Sequence, residues 1–307
     1  MPSLAVVRKA NTAISFKRSP VAVFVGGTSG IGQALSQGLA RYTQGNSKIL
    51  LCGRNRSAAE QIIASYPKSS PVSEAGSHSF VESDLFEIKN VQRTTSSLLS
   101  SLPKINFLVL STGFMDFRWR DETAEGIDKR LALTYYARWK FIYDLLPLLR
   151  KAKDAGEEAR VMSILGPGSG WKVDMDDLGL KRRYNPLKAL TSAATYNDLM
   201  IESFAELEPR ASFIHAFPGL VRTPLMGSVG KLLLYPVSVS PDVCAEYLLY
   251  ALLQSPAGSS RRNNKGDDMG KKRYYGTDEA RTCLWEHTLE EVERALRINS
   301  GGRSART

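Results

Sequence analysis

Short apolar runs alternate along the chain with longer stretches in which apolar residues recur every three or four positions. The runs lie at residues 21–25, 48–52, 78–83, 105–110, 160–165 and 212–217. A short apolar run is typical of a strand buried on both faces, and the wider spacing is typical of a helix packed on one side. Strand and helix in alternation imply right-handed crossovers. The pattern therefore predicts an α/β fold, in which helices cover both faces of a doubly wound parallel sheet.

Helices are predicted at about 31–43, after Arg56 to about Tyr66, and at 88–101, 124–152, 186–208, 241–254 and 278–297. Pro147 is expected to kink or end the helix 124–152, because proline lacks the helical N–H donor. Ser240 suits the N-cap of the helix that begins at Pro241. The segment KRYYG at 272–276 is the candidate for a seventh strand, so the sheet should hold about seven strands in one domain.

Composition shifts divide the chain into three parts. Residues 1–20 are a mixed basic and polar lead-in without a motif, and residues 21–255 hold the alternating pattern. Residues 256–307 comprise a basic Gly/Ser/Asn-rich loop, the last strand and a final helix, and 298–307 are expected to fray. Residues 219–240 are expected to form a mobile loop that carries the apolar piece LLLYPV.

The first strand ends in a glycine turn, in the stretch VAVFVGGTSGIG at 21–32. Gly26, Gly30 and Gly32 would let the backbone turn tightly and come close to a ligand. The helix that follows would present unpaired N–H groups and its positive dipole end to an anion. Strand, glycine turn and helix together predict a Rossmann-type dinucleotide site with a pyrophosphate in the turn. The alternative is a glycine-rich turn that binds nothing.

Ligands of such sheets bind at the carboxyl ends of the strands. The predicted site therefore comprises the residues that follow the strands, namely Gly26, Gly53, Asp84, Ser111–Gly113, Leu165–Gly166 and Pro218-Gly219. At the end of the second strand, a carboxylate would favour a ribose 2′-OH, whereas this chain has Arg54, Asn55 and Arg56. A guanidinium favours a 2′-phosphate, which predicts NADP(H) rather than NAD. The alternative is that Arg54 is an ordinary surface cation.

The formal charge of the 307-residue chain is +10, and 43% of its residues are hydrophobic, which favours a full core over disorder. The basic residues are scattered along the chain and do not alternate with aromatic residues. A solvated surface, or attraction of an anionic nucleotide, is therefore favoured over nucleic-acid binding.

Cys52, Cys244 and Cys283 show no CxxC spacing, which argues against a disulfide frame and a metal site. We find no apolar run long enough to span a membrane and no signal-peptide pattern, and expect a cytoplasmic protein.

Over roughly residues 20–255 the chain resembles the short-chain dehydrogenase/reductase superfamily. VGGTSGIG looks like the TGxxxGIG turn of that family, STG at 111–113 stands where the family has NNAG, and PGLVRTPL at 218–225 looks like its PGxxxTxx segment. The chain is also similar to fungal members of unknown or secondary-metabolic role. The resemblance implies a nicotinamide cofactor and the following contacts to it: Gly26, Thr28, Ser29, Gly30, Ile31, Gly32, Asp84, Leu85, Thr112, Gly113, Pro218, Val221 and Thr223. It also makes a homodimer or homotetramer plausible.

Redox members of this family use a Tyr as general acid, a Lys four residues later, a Ser and an Asn. Alignment of the helix 186–208 puts Leu190 and Ala194 where the Tyr and Lys belong. A literal YxxxK occurs earlier, at Tyr184 and Lys188, and these are the candidate catalytic residues. The alternative is a chance match, because Pro186 suits a helix start and would leave both at the mouth of the helix.

Other candidates have plainer interpretations. Ser163 lies within the predicted strand 160–165, before the position at which the family has its Ser. Thr134 falls near the position of the family's Asn. We interpret His215 as a buried core histidine and Tyr196 as a packing residue.

Three functions are compatible with these residues. The first is an NADP(H)-dependent carbonyl reductase or alcohol dehydrogenase for a hydrophobic small molecule, with Tyr184 donating the proton, Lys188 assisting and Leu232–Pro236 closing over the substrate. The second is a non-redox protein on the same fold, such as a cyclase, an isomerase or a nucleotide sensor. The third is a scaffold subunit that pairs through the helix 124–152.

Overall fold

The computed structural model describes residues 1–69, 77–113, 118–223 and 238–298. These residues form one seven-stranded sheet in which every pairing is parallel. The strands are β1 Val21–Val25, β2 Lys48–Gly53, β3 Ser79–Glu82, β4 Phe107–Leu110, β5 Arg160–Ile164, β6 Ser212–Ala216 and β7 Gly258–Arg262. Their order is β3-β2-β1-β4-β5-β6-β7, which confirms the predicted doubly wound sheet.

The order reverses at β1, which lies between β2 and β4. Val25 at the end of β1 pairs with Cys52 of β2 on one side and with Leu110 of β4 on the other. The three strands therefore end level with one another. The residues after them meet at one edge of the sheet, at the switch point where such folds bind ligands.

The helices lie on both faces of the sheet. They are α1 Leu4–Thr12, α2 Gly30–Tyr42, α3 Arg56–Ala64, α4 Ile88–Ser101, α5 Lys129–Leu131, α6 Ala137–Asp154, α7 Pro186–Leu207, α8 Pro241–Gln254 and α9 Asp278–Arg297, with a π-helical turn at Ala132–Tyr136 between α5 and α6. Several begin where a polar side chain accepts a backbone N–H, as Asn185 does from Lys188 and Thr277 from Ala280. None of these helices is long and apolar enough to cross a membrane.

Successive residues of β1 point into two different core layers. Val21, Val23 and Val25 pack in the layer that contains α4, α6, α7 and α9, whereas Ala22 and Phe24 pack in the layer beneath α2, α3 and α8. All five side chains are buried. This is why the strand is apolar at every position instead of at every second one.

The N-terminal lead-in contains a helix that we did not predict. Ser3 caps α1, and α1 packs on α8. The buried Asn11 side chain donates to the Glu246 carbonyl at 3.0 Å and to its carboxylate at 3.1 Å. The helix therefore depends on a partner 235 residues away in the sequence.

The prediction for the last strand is wrong. The seventh strand is β7 at Gly258–Arg262, within the segment that we expected to be an exposed loop, and residues 272–276 lie outside the sheet. The strand is polar because its buried residues find polar partners: Arg261 lies 3.0 Å from the Asp198 carboxylate and donates to the Gly270 and Lys272 carbonyls. These partners lie in distant segments of the sequence, so the strand itself has no run of apolar residues from which it could be predicted.

The helix predicted at 124–152 begins later and ends later. Glu125 lies before it and accepts the N–H groups of Ile88 and Lys89 at the start of α4, at 2.6 and 3.0 Å. Asp128 caps α5. Pro147 lies inside α6, which continues to Asp154, so the helix does not end at the proline.

Helix α9 covers α6 and α7 with aromatic side chains. The Trp285 ring lies 5.1 Å from the Trp139 ring of α6 and 5.2 Å from the Phe204 ring of α7. Tyr135 and Thr288 share a hydrogen bond of 2.7 Å. The chain itself therefore buries much of the long helix through which the scaffold hypothesis expected it to pair.

The aromatic cluster around Trp139 generates a stability prediction. Trp139 is 1% exposed, so Trp139→Ala should lower the free energy of unfolding by about 3–5 kcal/mol, because it opens a cavity in the core. Trp119 is 73% exposed, and Trp119→Ala should change it by less than about 0.5 kcal/mol. Urea unfolding of both variants measures the difference. Equal effects would show that α9 contributes little to the core.

Candidate functional site

A cleft of about 250 Å³ opens at the carboxyl ends of β1, β2, β3 and β4. Backbone from the glycine turn forms its floor, and the residues after the other strands form its walls. It is lined by Gly26, Thr28, Ser29, Gly30, Ile31, Gly32, Gly53, Arg54, Ser83, Asp84, Leu85, Phe86, Ser111, Thr112, Gly113, Leu133 and Thr223.

The glycine turn has no room for side chains. A Cβ on Gly32 would lie 2.4 Å from Ser111 Oγ and 2.5 Å from the Gly26 carbonyl oxygen. Gly26 has φ +89°, and a Cβ there would lie 2.9 Å from the Thr112 backbone nitrogen. The backbone of the turn therefore reaches the end of β4 directly, which only glycine permits.

The first turn of α2 faces the cleft with N–H groups that no described residue pairs. Ser29 occupies the N-cap position, but its side chain makes no capping hydrogen bond, and the first turn carries no acidic residue. Free N–H groups and the positive dipole end suit a phosphate group. A glycine-lined cradle at a helix N-terminus therefore fits the pyrophosphate of a dinucleotide.

The end of the cleft beside β2 and β3 carries Arg54. Its guanidinium lies 5.7 Å from the centre of the Phe86 ring, and Arg54 makes no ion pair among the described residues. Arg56 is different, because it lies 3.7 Å from Glu82 and 4.0 Å from Glu60. Of these two arginines, Arg54 is the one placed to meet an anion in the cleft.

Asn55 lies beside the cleft without lining it. Its side chain accepts the Ala58 N–H at 3.0 Å and so caps α3. Asp84 lines the cleft and accepts the Phe86 N–H at 3.2 Å, and Leu85 beside it is buried.

The segment after β6 contributes Thr223 to the cleft wall. Val221 is buried and pairs with Val239, and the Pro218 carbonyl accepts from Cys244 Sγ at 3.4 Å. Pro218 and Val221 do not line the cleft, but they support the segment that ends at Thr223. Residues 224–237, which include the expected closing piece Leu232–Pro236, lie outside the described residues.

The side chains of Tyr184 and Lys188 each contact a different polar partner. Tyr184 precedes α7, and its hydroxyl accepts from the Arg130 guanidinium. Lys188 Nζ lies 2.8 Å from the Asp174 carboxylate. Burial, followed by the charge of Asp128, raises the pKa of Tyr184, and Arg130 opposes the shift. Neither residue lines the cleft.

The helix positions that align with the family's Tyr and Lys carry no titratable group. Leu190 is half-exposed and Ala194 is buried. Tyr196 is buried and donates to the Leu178 carbonyl at 3.0 Å, as expected of a packing residue, and burial raises its pKa.

His215 lies in a buried polar network behind the cleft. Its Nδ1 lies 2.6 Å from the Asp198 carboxylate, and its Nε2 accepts the Gly166 N–H at 3.1 Å. Burial lowers its pKa, which keeps the ring neutral. The histidine thus fixes the loop after β5, as a hydrogen-bonded core residue does.

Sequence reasoning missed Arg138. Its guanidinium is fully buried and donates to Ser163 Oγ at 2.7 Å, to the Ile164 carbonyl at 2.9 Å and to the Thr112 carbonyl. A signal was present, because Arg138 and Lys140 are charged residues within the otherwise largely apolar stretch 131–142. An arginine at such a position has to bring polar partners into the core.

The fold and the cleft have the form of a Rossmann-type α/β protein, and comparison with known proteins shows the family to which the chain belongs. The family model described as short chain dehydrogenase matches residues 20–171. An oxidoreductase of Emericella nidulans is 36% identical over 73% of this chain and 65% of its own length. An oxidoreductase of Emericella variicolor is 32% identical over 81% of this chain and 74% of its own.

A solved NADPH-bound carbonyl reductase from chicken fatty liver has the same fold. It superposes with a TM-score of 0.61 at 17% identity and covers 82% of this chain and 99% of its own. The chain therefore belongs to the short-chain dehydrogenase/reductase family, a class of oxidoreductases, as its motifs indicated.

The glycine cradle generates a binding prediction. Gly32→Ala should weaken NADPH binding by tenfold or more, which corresponds to about 1.4 kcal/mol, because the new methyl group must displace the end of β4 or the turn itself. Gly179→Ala is the control, since its Cβ would meet only side-chain carbons, at 3.4 Å or more. Titration of NADPH fluorescence measures both. Wild-type affinity in Gly32→Ala would contradict the assignment of the turn.

Proposed function

We propose that the chain is an NADP(H)-dependent oxidoreductase that interconverts a carbonyl and an alcohol on a hydrophobic small molecule. The observation that carries the proposal is the cleft, in which a glycine cradle at the start of α2 lies beside the guanidinium of Arg54, with which no described carboxylate pairs. The names of the fungal relatives, which are oxidoreductases, support the reaction class.

In this proposal the backbone of residues 26–32 holds the pyrophosphate through its N–H groups. Asp84 and Leu85 border the adenine, Thr112 and Gly113 line the adenosine ribose side, and Thr223 lies toward the nicotinamide end. When bound, the nicotinamide group supplies or accepts a hydride. The chain contributes orientation, exclusion of water and a proton donor.

Arg54 supports the choice of NADP(H). It lies at the end of β2, where a dinucleotide places its adenosine ribose, and no described carboxylate neutralises it. A planar guanidinium can hold a 2′-phosphate through two charge-assisted hydrogen bonds.

Exposed apolar side chains support a hydrophobic substrate. Leu187 and Leu190 in the first turns of α7, Phe217 and Leu220 after β6, and Trp171 after β5 are at least one-third exposed. All five belong to segments at the carboxyl edge of the sheet or to the helix that follows. Apolar side chains grouped at one edge of a fold are typical of a binding surface.

Tyr184 remains the proposed proton donor, with Lys188 as its partner. Burial raises the pKa of Tyr184, which makes the phenol a weaker acid than a free tyrosine, so the role requires the charge of Lys188 near the hydroxyl to lower that pKa. Because neither residue lines the cleft, this role requires the segment 184–188 to exchange its contacts with Arg130 and Asp174 for contacts with substrate.

The cofactor preference can be tested by charge reversal. Arg54→Asp should weaken NADPH binding by about tenfold or more while leaving NADH binding intact or improved, because a carboxylate repels the 2′-phosphate and accepts a ribose hydroxyl. Arg56→Gln is the matched control, since Arg56 already pairs with Glu82 and Glu60. Calorimetric titration with both nucleotides measures the preference, and an unchanged ratio in Arg54→Asp would refute it.

The reaction can be tested with a panel of hydrophobic ketones and NADPH oxidation as readout. Tyr184→Phe should lower kcat by about 100-fold or more without changing NADPH affinity, because it removes a general acid only. Tyr143→Phe, on the exposed surface of α6, is the control. Full turnover in Tyr184→Phe would exclude Tyr184 as the donor. Nucleotide binding without turnover on any carbonyl would favour the non-redox alternative.

A further inference from the structure

Beyond the cleft, two segments run alongside each other at the carboxyl edge of the sheet, one after β5 and the other after β7. A Cβ on Gly168 would lie 3.5 Å from the Cβ of Arg273, and the ring centres of Trp171 and Tyr275 are 5.6 Å apart. Because every strand is parallel, the cleft opens at this same edge, where the ligands of such folds bind. The Trp171 surface, as we call it, comprises residues 168–172 and 273–275.

A buried side chain of α7 fixes the segment after β5. Thr195 Oγ1 donates to the Trp171 carbonyl at 2.8 Å and accepts the Trp171 N–H at 3.1 Å. Gly170 is needed beside it, because a Cβ there would lie 2.1 Å from Thr195 Oγ1. The backbone that carries Trp171 is therefore held in place, although the side chain is 64% exposed.

Arg261 fixes the segment after β7 in a similar way. Its guanidinium is buried and lies 3.0 Å from the Asp198 carboxylate of α7. It donates to the carbonyls of Gly270, Lys272 and Arg273, at 2.9, 3.0 and 3.2 Å. These bonds hold Arg273 at φ +50°, a left-handed conformation that is uncommon outside glycine. Buried polar groups thus anchor both segments to α7, and the surface they form is pre-organised.

The Trp171 surface carries positive charge that the described part of the chain leaves unpaired. Lys172, Lys272 and Arg273 are exposed, and none of them lies within ion-pair distance of a described carboxylate. Asp174 and Glu202, the carboxylates of neighbouring segments, already pair with other cations. An anionic ligand would therefore find free cations here.

These cations lie within reach of the exposed rings. Lys172 directly follows Trp171, and Arg273 precedes Tyr275 by two residues. Two steps of about 3.8 Å between Cα atoms are a span that an arginine side chain matches. An exposed aromatic face rimmed by charged groups is typical of a binding site, and a guanidinium holds a carboxylate through two parallel hydrogen bonds.

We propose that the Trp171 surface binds the substrate, and that this substrate is a flat, apolar molecule with an acidic group. Its ring system stacks on the open side of Trp171, and Arg273 and Lys172 hold its anionic group. The inference rests on the proposed function and deepens it, since it adds a negative charge to the hydrophobic substrate. Trp171 and Arg273 act in specificity and do not touch the reacting carbonyl.

The test compares a ketone that carries a carboxylate with its uncharged ester, 6-acetyl-2-naphthoate and methyl 6-acetyl-2-naphthoate. Calorimetry without nucleotide measures the Kd of both. Wild type should bind the acid about fivefold more tightly than the ester, and Arg273→Gln should bring the two within about twofold. Lys151→Gln is the matched control, because it removes an exposed charge from the last turn of α6 and should keep the preference.

The stacking contact has its own pair of variants. Trp171→Ala should weaken binding of both probes about fivefold, because the aromatic face is lost whatever the charge of the ligand. Trp119→Ala removes another exposed tryptophan and should change neither Kd. With saturating NADPH, Arg273→Gln should raise the KM of the acid and leave its kcat unchanged.

The outcomes separate this inference from the proposed function. The inference would be overturned if wild type bound neither probe, or bound acid and ester equally. An affinity that Arg273→Gln and Trp171→Ala leave unchanged would place the acid elsewhere on the chain and overturn it too. NADPH oxidation with the ester would still support the proposed function in each of these cases. The expected affinities without NADPH oxidation on either ketone would overturn the proposed function and leave the acid-binding surface in place.

Discussion

The contact between the β1–α2 turn and the end of β4 is the constraint on which the site depends. Backbone atoms of the turn and of Thr112, together with Ser111 Oγ, occupy the volume that a side chain would need, so glycine is required at positions 26 and 32. Because β1 lies between β2 and β4, this contact fixes the start of α2 relative to both halves of the sheet. The free N–H groups of that helix thereby face the cleft formed at the switch point.

Behind the cleft the fold accepts buried charge. Arg138 links the ends of β4 and β5, while Arg261 links β7 to Asp198 of α7 and to the backbone at residues 270–273. Burying such groups is costly unless hydrogen bonds compensate. Here the hydrogen bonds join elements that are far apart in sequence, so the charges help to hold the strand ends that shape the site.

Local pattern predicted most of the elements. The helices at 88–101, 241–254 and 278–297 have the predicted bounds, because apolar spacing and polar caps act within a few residues. Helix α1 and strand β7 were missed for the opposite reason. Both depend on distant partners, Glu246 for Asn11 and Asp198 for Arg261, and a strand of sequence GSSRR has no apolar signal to detect.

The parallel sheet, the glycine turn and the family could be predicted from the order of the amino acids, because backbone sterics and hydrophobic periodicity are local properties of the chain. The surroundings of the reacting end of the cleft could not be predicted in this way. The spacing of Tyr184 and Lys188 suggests a pair, but Asn185 starts the helix between them, and Arg130 and Asp174 hold them apart from the cleft. Arg138 contacts the ends of β4 and β5 only once the sheet has formed. Long-range packing therefore sets which polar groups surround its charge.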